Sequence, residues 1–236
     1  LHIKTHKYTE KLLYLDNCFL CYDPLINLDL IKLPKIQPYI KNNYLTLCCF
    51  NRLNKINDSF IALISNLILS NKNIKIIFKT KALLNDDVKQ DFLNKFKNTK
   101  NIIIKDCTPS HEEHLLEYNN CDIAIDTFPY SGTTTTCEAL LMGVPVITFY
   151  DTKNKFHAQN VSASILKNSS LSEYILLDNN LSLFIENLLN KDIDYWKNLK
   201  TNTRSNFLTG NVCNQSLYIK EIESKLKDCV SNFNSC

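Results

Sequence analysis

Glycine is scarce in this sequence. Of 236 residues only three are glycine, Gly132, Gly143 and Gly210, whereas 30 are asparagine. Glycines at these positions cannot form the G-x-G-x-x-G or G-x-x-x-x-G-K-[ST] loops, in which glycine lets the backbone approach a phosphate closely. They also exclude collagen-like and glycine-rich linker segments. A nucleotide-binding protein with this composition must hold the phosphates by another element.

Arginine and long apolar runs are also scarce. The basic residues are 25 lysines and only two arginines, Arg52 and Arg204, against 24 acidic residues, and the net charge is +3. Because the lysines are scattered along the chain, we expect no nucleic-acid partner. The longest apolar stretch, 60–70, falls short of the roughly 18 residues of a membrane span, so we expect no membrane partner. No signal peptide opens the sequence, which favours a cytoplasmic or nuclear, intracellular protein.

Cysteine, by contrast, is frequent, with ten residues at irregular spacing. Cys18 and Cys21 form a single C-x-x-C pair, but no second pair or histidine follows at the spacing of a zinc site. We therefore expect reduced thiols of an intracellular protein and no bound metal.

The hydrophobic pattern changes at about residue 44. Residues 1–44 hold three of the six prolines and no long periodic segment, so we interpret them as a linker or the tail of a preceding domain. From residue 45 onward, short apolar strands alternate with amphipathic helices, which predicts an α/β fold with a parallel sheet and helices on both faces. The predicted strands are 45–50, 74–78, 102–104, 123–125 and 146–149. The predicted helices are 58–70 (with Asp58 or Ser59 as N-cap), 86–96, 110–118 and 133–142, then about 157–166, 181–190, 192–207 and 214–229 in a helical C-terminal part.

One stretch combines a buried strand, a loop and a threonine-rich helix start. The strand is predicted to end at Asp126, a loop with Pro129 and Gly132 follows, and threonines 133–136 open the next helix. Threonine is a poor residue for a helix interior. A helix N-terminus, however, presents unpaired N–H groups and a positive dipole end, and hydroxyl groups add further donors. The segment is therefore suited to hold phosphate without a glycine-rich loop.

Glu138 lies one turn further along the same predicted helix, four residues after Thr134. A carboxylate there can accept hydrogen bonds from both hydroxyls of a ribose, at the carboxyl end of a strand, where open α/β sheets bind ligands. Gly132 and Gly143 bracket the helix, and we expect both to supply flexible backbone, with Gly143 as the C-terminal cap. The same residues have a purely structural alternative, in which the threonines extend a helix cap and Glu138 is an acid favoured by the helix dipole.

Several segments resemble the protein O-glycosyltransferases that modify serine and threonine of intracellular proteins, the O-GlcNAc transferases and the SPINDLY O-fucosyltransferases. The strongest match is the signature DTFPYSGTTTTCEALLMGVP, from Asp126 to Pro145. Tyr8–Pro24 resembles the connector before the second catalytic half, and Cys49–Ile56 resembles the segment G-x-F-N-x-x-x-K-I. Further matches are Glu113-His114, Phe156–Val161 and Gly210–Asn214. Together they extend from about residue 8 to residue 228.

The resemblance implies a fold and a reaction. The fold would be the C-terminal half of a GT-B glycosyltransferase, with 45–236 as a Rossmann-like nucleotide-sugar-binding domain and 1–44 as a linker or the tail of the preceding catalytic half. The reaction would transfer a sugar from UDP-GlcNAc or GDP-fucose to serine or threonine of a protein acceptor, without metal or cofactor. The other catalytic half and the TPR repeats are expected elsewhere in the full-length protein. The alternative is a catalytically inactive nucleotide-sugar-binding or scaffold module.

The resemblance also implies roles for single residues. Lys55 matches the lysine that contacts the diphosphate and neutralises the charge of the leaving group, so it is the predicted catalytic residue. Thr134 and Thr135 match the pair that binds the phosphates. Glu138 stands where an acid binds the ribose hydroxyls, and His114 matches the histidine that packs on the base.

Two further substrate-binding candidates are less specific. Arg52 stands where relatives have glutamine or asparagine, so we expect its contacts to base or sugar to differ. His157 lies in another matched segment. The four threonines, Cys137-Glu138 and 157–160 resemble the SPINDLY branch, which favours GDP-fucose, whereas Glu117 replaces an arginine of the animal O-GlcNAc enzymes. His111 receives no role.

Overall fold

The structure is a computed structural model that describes residues 8–150, 156–177 and 180–233. Within these residues lies a six-stranded sheet in which neighbouring strands pair in parallel, in the order β3-β2-β1-β4-β5-β6. The strands are β1 (Leu45–Cys49), β2 (Ile74–Lys79), β3 (Ile102–Lys105), β4 (Ile123–Ile125), β5 (Val146–Phe149) and β6 (Ile175–Leu176). Every residue of β1, β4 and β5 is buried, so both faces of the central strands are covered.

The helices are α1 (Pro38–Asn42), α2 (Asp58–Ser70), α3 (Asp86–Asn94), α4 (His111–Glu117), α5 (Thr134–Leu141), α6 (His157–Lys167), α7 (Leu181–Leu189), α8 (Ile193–Thr209) and α9 (Gln215–Phe233). Helices α2 to α6 alternate with the strands, α1 precedes β1 and was not predicted, and α7 to α9 follow β6. The predicted α/β fold with a helical C-terminal part is confirmed, and the elements from β1 to β5 have their predicted bounds within two residues.

Short polar side chains fix where several helices begin. The Ser110 hydroxyl accepts a hydrogen bond from the Glu113 N–H at the start of α4, which is one half of a capping box. The prediction for α2 was wrong by one residue, because Asn57 and not Asp58 or Ser59 caps this helix by accepting from the Phe60 N–H. Asparagine is as good an N-cap as serine or aspartate, since its side-chain oxygen reaches the same N–H groups.

Gly143 ends α5 as expected. Its φ of +68° is left-handed, and the Val144 N–H donates to the Ala139 carbonyl across the end of the helix. Gly132, for which flexible backbone was also expected, does not have a left-handed φ. A Cβ at Gly132 would lie 2.7 Å from the Thr136 hydroxyl oxygen, so this glycine is needed for space and not for flexibility.

The part after residue 150 contains one strand that the sequence pattern did not predict. β6 has only two residues and pairs with the end of β5, with Thr148 opposite Ile175. A two-residue strand has no detectable periodicity, so the sequence predicts only helices in this part of the chain.

The segment before β1 packs against the C-terminal helices. The Tyr22 N–H donates to the carbonyl of Val212, which follows α8, and the Arg204 guanidinium donates to the Ile31 carbonyl. Cys18 and Ile31 are buried in the hydrophobic core. The interpretation of residues 1–44 as a linker or tail stays a prediction, and its first seven residues lie outside the described part of the chain.

The nine cysteines within the described ranges are all free thiols, and Cys236 lies outside those ranges. In the same part of the chain, no helix is long and apolar enough to cross a membrane, and no three His, Cys, Asp or Glu side chains are grouped so as to hold a metal ion.

Candidate functional site

Two loops meet at the carboxyl edge of the sheet, where the strand order reverses. β1 lies between β2 and β4, and the chain leaves β1 in one direction and β4 in the other. Loops 50–57 and 126–133 therefore begin side by side and lead to different helices. The space that these two loops border is called the crevice. Open parallel sheets bind their ligands at such a switch point, and most of the residues singled out from the sequence lie around it.

The buried carboxylate of Asp126 organises the loop after β4. Its Oδ1 accepts hydrogen bonds from the N–H groups of Thr127 at 2.9 Å and Gly132 at 2.7 Å, and from the Asn51 amide at 3.3 Å. Its Oδ2 accepts from the Thr148 hydroxyl at 2.8 Å. Burial raises the pKa of Asp126, although these hydrogen bonds act in the opposite direction. Asp126 thus ties β4, β5 and the loop after β1 to one point.

Two further hydrogen bonds join the two loops directly, and one more joins the loop after β1 to the first turn of α5. The Thr135 hydroxyl donates to the Asn51 side-chain oxygen at 2.7 Å. The Asn57 amide donates to the Phe128 carbonyl at 2.7 Å. The Lys55 ammonium donates to the Ser131 carbonyl at 2.8 Å. These bonds fix the two loops, which form the walls of the crevice, relative to each other.

Lys55, the predicted catalytic residue, places a positive charge in this crevice. Its Nζ lies 4.0 Å from the centre of the Tyr130 ring, and the side chain is half-buried. Burial lowers the pKa of Lys55, while nearby Asp126 raises it and Arg52 lowers it. Among the described residues no carboxylate pairs with Lys55 within 4.0 Å. Arg52 itself is exposed and precedes Lys55 in the same turn.

The N-terminus of α5 faces this region with its threonines. Unlike α2, α3, α4 and α8, this helix has no side-chain cap, so its first N–H groups are open to an anion. Thr134 is exposed, and the Thr135 hydroxyl is already engaged with Asn51. Thr136 points inward and shares a hydrogen bond of 2.7 Å with the Ser162 hydroxyl.

Glu138 lies one turn further along α5 and faces two histidines of α4. The carboxylate is 3.4 Å from Nε2 of His114 and 3.8 Å from Nδ1 of His111. The His114 ring also packs against Phe50, with 5.9 Å between ring centres. The structure therefore brings predicted residues Glu138 and His114 together, with the aromatic surface of Phe50 beside them.

His157 lies apart from the other predicted residues. Its ring packs edge-on against Phe19, with 4.5 Å between ring centres, and burial lowers its pKa. It borders a cavity of about 610 Å³ between residues 8–19, α6 and α9, and none of the other six predicted site residues lines that cavity. Ala158, the next residue, accepts from the Ser131 N–H, so the backbone of this turn contacts the crevice loop.

Four residues around the crevice were not assigned a role from the sequence: Asn51, Asp126, Tyr130 and His111. Asp126 had a usable signal, because it is a carboxylate placed directly after a buried strand. His111 had one as well, since it precedes His114 by three residues and therefore shares its helix face. For Asn51 and Tyr130 the role depends on contacts between loops that are distant in sequence.

Residues 25–222 match the model of the family described as Glycosyl transferase family 41. The match covers most of the chain, and the chain belongs to this family. It is therefore a glycosyltransferase family member, as the signature after β4 predicted.

Curated relatives agree with this family. The chain is 29% identical over 221 residues to a probable UDP-N-acetylglucosamine–peptide N-acetylglucosaminyltransferase SPINDLY of Eustoma exaltatum subsp. russellianum, covering 92% of this chain and 23% of the relative. The corresponding protein of Arabidopsis thaliana is 29% identical over 226 residues, 94% of this chain and 24% of the relative. The chain thus spans about a quarter of the length of these relatives.

The fold is similar to that of a solved O-GlcNAc transferase. A mutant of the Thermobaculum terrenum O-GlcNAc transferase superposes with a TM-score of 0.75 at 23% identity, over 94% of this chain and 41% of that chain. At this identity the likeness concerns the fold alone, and it confirms the prediction of a GT-B glycosyltransferase fold.

Proposed function

We propose that this chain is the nucleotide-sugar-binding part of a protein O-glycosyltransferase, which transfers GlcNAc from UDP-GlcNAc or fucose from GDP-fucose to serine or threonine of intracellular proteins. The observation that carries the proposal is the crevice between β1 and β4. There, a lysine that pairs with no carboxylate within 4.0 Å among the described residues lies near the uncapped N-terminus of α5, an arrangement suited to a diphosphate.

Five of the seven predicted residues have a role in this proposal, and Arg52 and His157 have none. Lys55 and the first N–H groups of α5, with the exposed Thr134 hydroxyl, bind the diphosphate and stabilise the charge that develops when the sugar leaves. Thr135 sets the position of the helix start through Asn51. Glu138 accepts the ribose hydroxyls, and His114 packs on the base.

The acceptor, the donor sugar and the remaining parts of the enzyme are also part of the proposal. A peptide acceptor is supported by the relatives, whose names describe peptide N-acetylglucosaminyltransferases. Serine or threonine as the acceptor residue is carried over from the sequence resemblance. A second catalytic half and TPR repeats would belong to the rest of the full-length protein, since the relatives are about four times as long as this chain. No metal or cofactor is proposed for the transfer.

Calorimetric titration of the chain with UDP, UDP-GlcNAc, GDP and GDP-fucose tests the proposal. We expect one nucleotide series to bind, and its base identifies the donor. Lys55→Met should weaken that binding about 10-fold to 100-fold, the usual effect of losing a charged hydrogen bond. Lys72→Met is the matched control, at an exposed lysine just before the amino end of β2. It should leave nucleotide binding unchanged. If none of the four compounds binds, the proposal is wrong.

The ribose assignment has its own test. Glu138→Gln keeps the size of the side chain but removes the charged acceptor, and we expect about tenfold weaker binding of the ribonucleotide. For the 2′-deoxynucleotide, which lacks one of the two hydroxyls, the loss should be smaller. An equal loss for both nucleotides contradicts the ribose role of Glu138.

A further inference from the structure

Tyr130 belongs to the loop after β4 that borders the crevice, and the Lys55 ammonium lies over its aromatic ring. Lys55 Nζ is 4.0 Å from the ring centre, within the range of a cation–π contact. The Tyr130 side chain remains exposed, with 53% of its surface accessible. An exposed aromatic ring beside the proposed phosphate-binding lysine needs a physical reason, because a small polar residue would suffice for a surface loop.

The loop backbone fixes the position of this ring. The Tyr130 carbonyl accepts from the Thr127 hydroxyl at 2.8 Å, and the Ser131 carbonyl accepts from Lys55 at 2.8 Å. On the other side, the Phe128 carbonyl accepts from the Asn57 amide. These hydrogen bonds hold the loop on both sides of Tyr130. The fixed backbone therefore keeps the ring next to Lys55.

A ring holds an ammonium in a way that a carboxylate cannot. An acidic partner would neutralise the charge of Lys55 and compete with a phosphate for it, whereas the ring face attracts the cation and leaves its charge available. Lys55 has no acidic partner within 4.0 Å in the described ranges of the chain. A flexible lysine that is already confined also loses less side-chain entropy when a ligand binds.

We propose that Tyr130 is a positioning residue for Lys55 and thereby sets the affinity of the crevice for the diphosphate group. This inference rests on the proposed function, in which Lys55 contacts the diphosphate. It concerns the phosphate part of the ligand alone, so Tyr130 should not affect the binding of the base or the ribose.

The test compares two substitutions of similar size in the whole chain. Tyr130→Leu removes the aromatic face and should weaken the binding of UDP or GDP about threefold to tenfold. Tyr130→Phe keeps the ring and should bind within about twofold of the unsubstituted chain. Binding of uridine or guanosine, which lack phosphate, should be the same in all three proteins. Because the side chain is exposed, urea unfolding should confirm that both variants are as stable as the parent.

A double-mutant cycle with Lys55→Met separates this inference from the proposed function. In the Lys55→Met background, Tyr130→Leu should have no further effect, because the ring acts only through the ammonium. Suppose that nucleotides bind and that Lys55→Met weakens their binding. If Tyr130→Leu then leaves nucleotide binding unchanged or makes it tighter, the positioning role of Tyr130 is overturned and the proposed function stands. An equal loss of nucleoside binding also overturns it. If neither UDP nor GDP binds the unsubstituted chain, both fall.

Discussion

The substitution Gly132→Ala adds a single methyl group at the most crowded point of the crevice. Its Cβ would lie 2.7 Å from the hydroxyl oxygen of Thr136, 2.8 Å from that of Thr135 and 3.2 Å from a carboxylate oxygen of Asp126. Ordinary van der Waals contact begins at 3.4 Å. Both hydroxyls must therefore move away by about 0.7 Å, in an interior that is packed too closely to yield freely.

The cost of that movement follows from what the two hydroxyls hold. Thr136 shares a buried hydrogen bond with Ser162, and Thr135 joins the helix to Asn51 of the other loop. A net loss of about 1 kcal/mol for each bond, with a further penalty for a buried hydroxyl left unpaired, gives about 2–4 kcal/mol. We expect Gly132→Ala to lower the free energy of unfolding by this amount and to weaken nucleotide binding at the same time.

Urea-induced unfolding measures the first effect, and calorimetry measures the second. Thr134→Ala, at the exposed neighbouring threonine, is the control for stability and should change the free energy of unfolding by less than about 0.5 kcal/mol. In a Thr136→Ala background, where one obstructing hydroxyl is gone, Gly132→Ala should cost about 1 kcal/mol less. A Gly132→Ala variant as stable as the parent, or one equally damaging in both backgrounds, refutes the crowding explanation.

Three other predictions concern the core behind the crevice. Gly143→Ala should lower the free energy of unfolding by about 3–5 kcal/mol in urea titrations, because φ is +68° and a Cβ would lie 2.3 Å from the Lys200 carbonyl oxygen; a loss below about 1 kcal/mol contradicts this. Burial raises the pKa of Asp122 from 3.8 to about 6, so the native state keeps a proton that the unfolded chain releases, and stability should fall as pH rises through this interval; Asp122→Asn should remove that part of the slope. Burial lowers the pKa of Lys200 from 10.5 to about 8. As pH rises between these values, the free energy of unfolding of the parent should increase by up to about 3 kcal/mol relative to Lys200→Met. A difference between the two proteins that stays constant with pH contradicts the burial of the charge.

The sheet and its helices were predictable because local signals agree with the tertiary structure. Short apolar runs mark the strands, Ser110 with Glu113 marks the start of α4, and Gly143 marks the end of α5. Each of these features depends on residues within one turn or one strand. The two-residue β6 and the five-residue α1 carry too little pattern for such reasoning, and they exist because neighbouring elements hold them.

The candidate site was predictable only in part. The threonine-rich helix start and Glu138 could be singled out from the residues themselves, whereas Lys55 came only from a family resemblance. The surroundings of Lys55 and Thr135 depend on contacts between segments about 75 to 85 residues apart. Sequence reasoning also gave no sign that Lys79, at the end of β2, is buried beside Phe50 and donates to Thr108. Such long-range contacts have no periodic signature.

The scarcity of glycine has a structural counterpart in Asp126. In glycine-rich phosphate loops, glycine allows the backbone to turn tightly and its N–H groups to face the ligand. Here the loop after β4 turns around a buried carboxylate that takes up the N–H groups of Thr127 and Gly132, so one glycine is enough. That solution brings a negative charge close to the place proposed for a diphosphate, which opposes anion binding. Lys55, supplied by the loop after β1, lies close enough to Asp126 to offset this charge, and for that reason the proposed cradle needs residues from both loops and not from one.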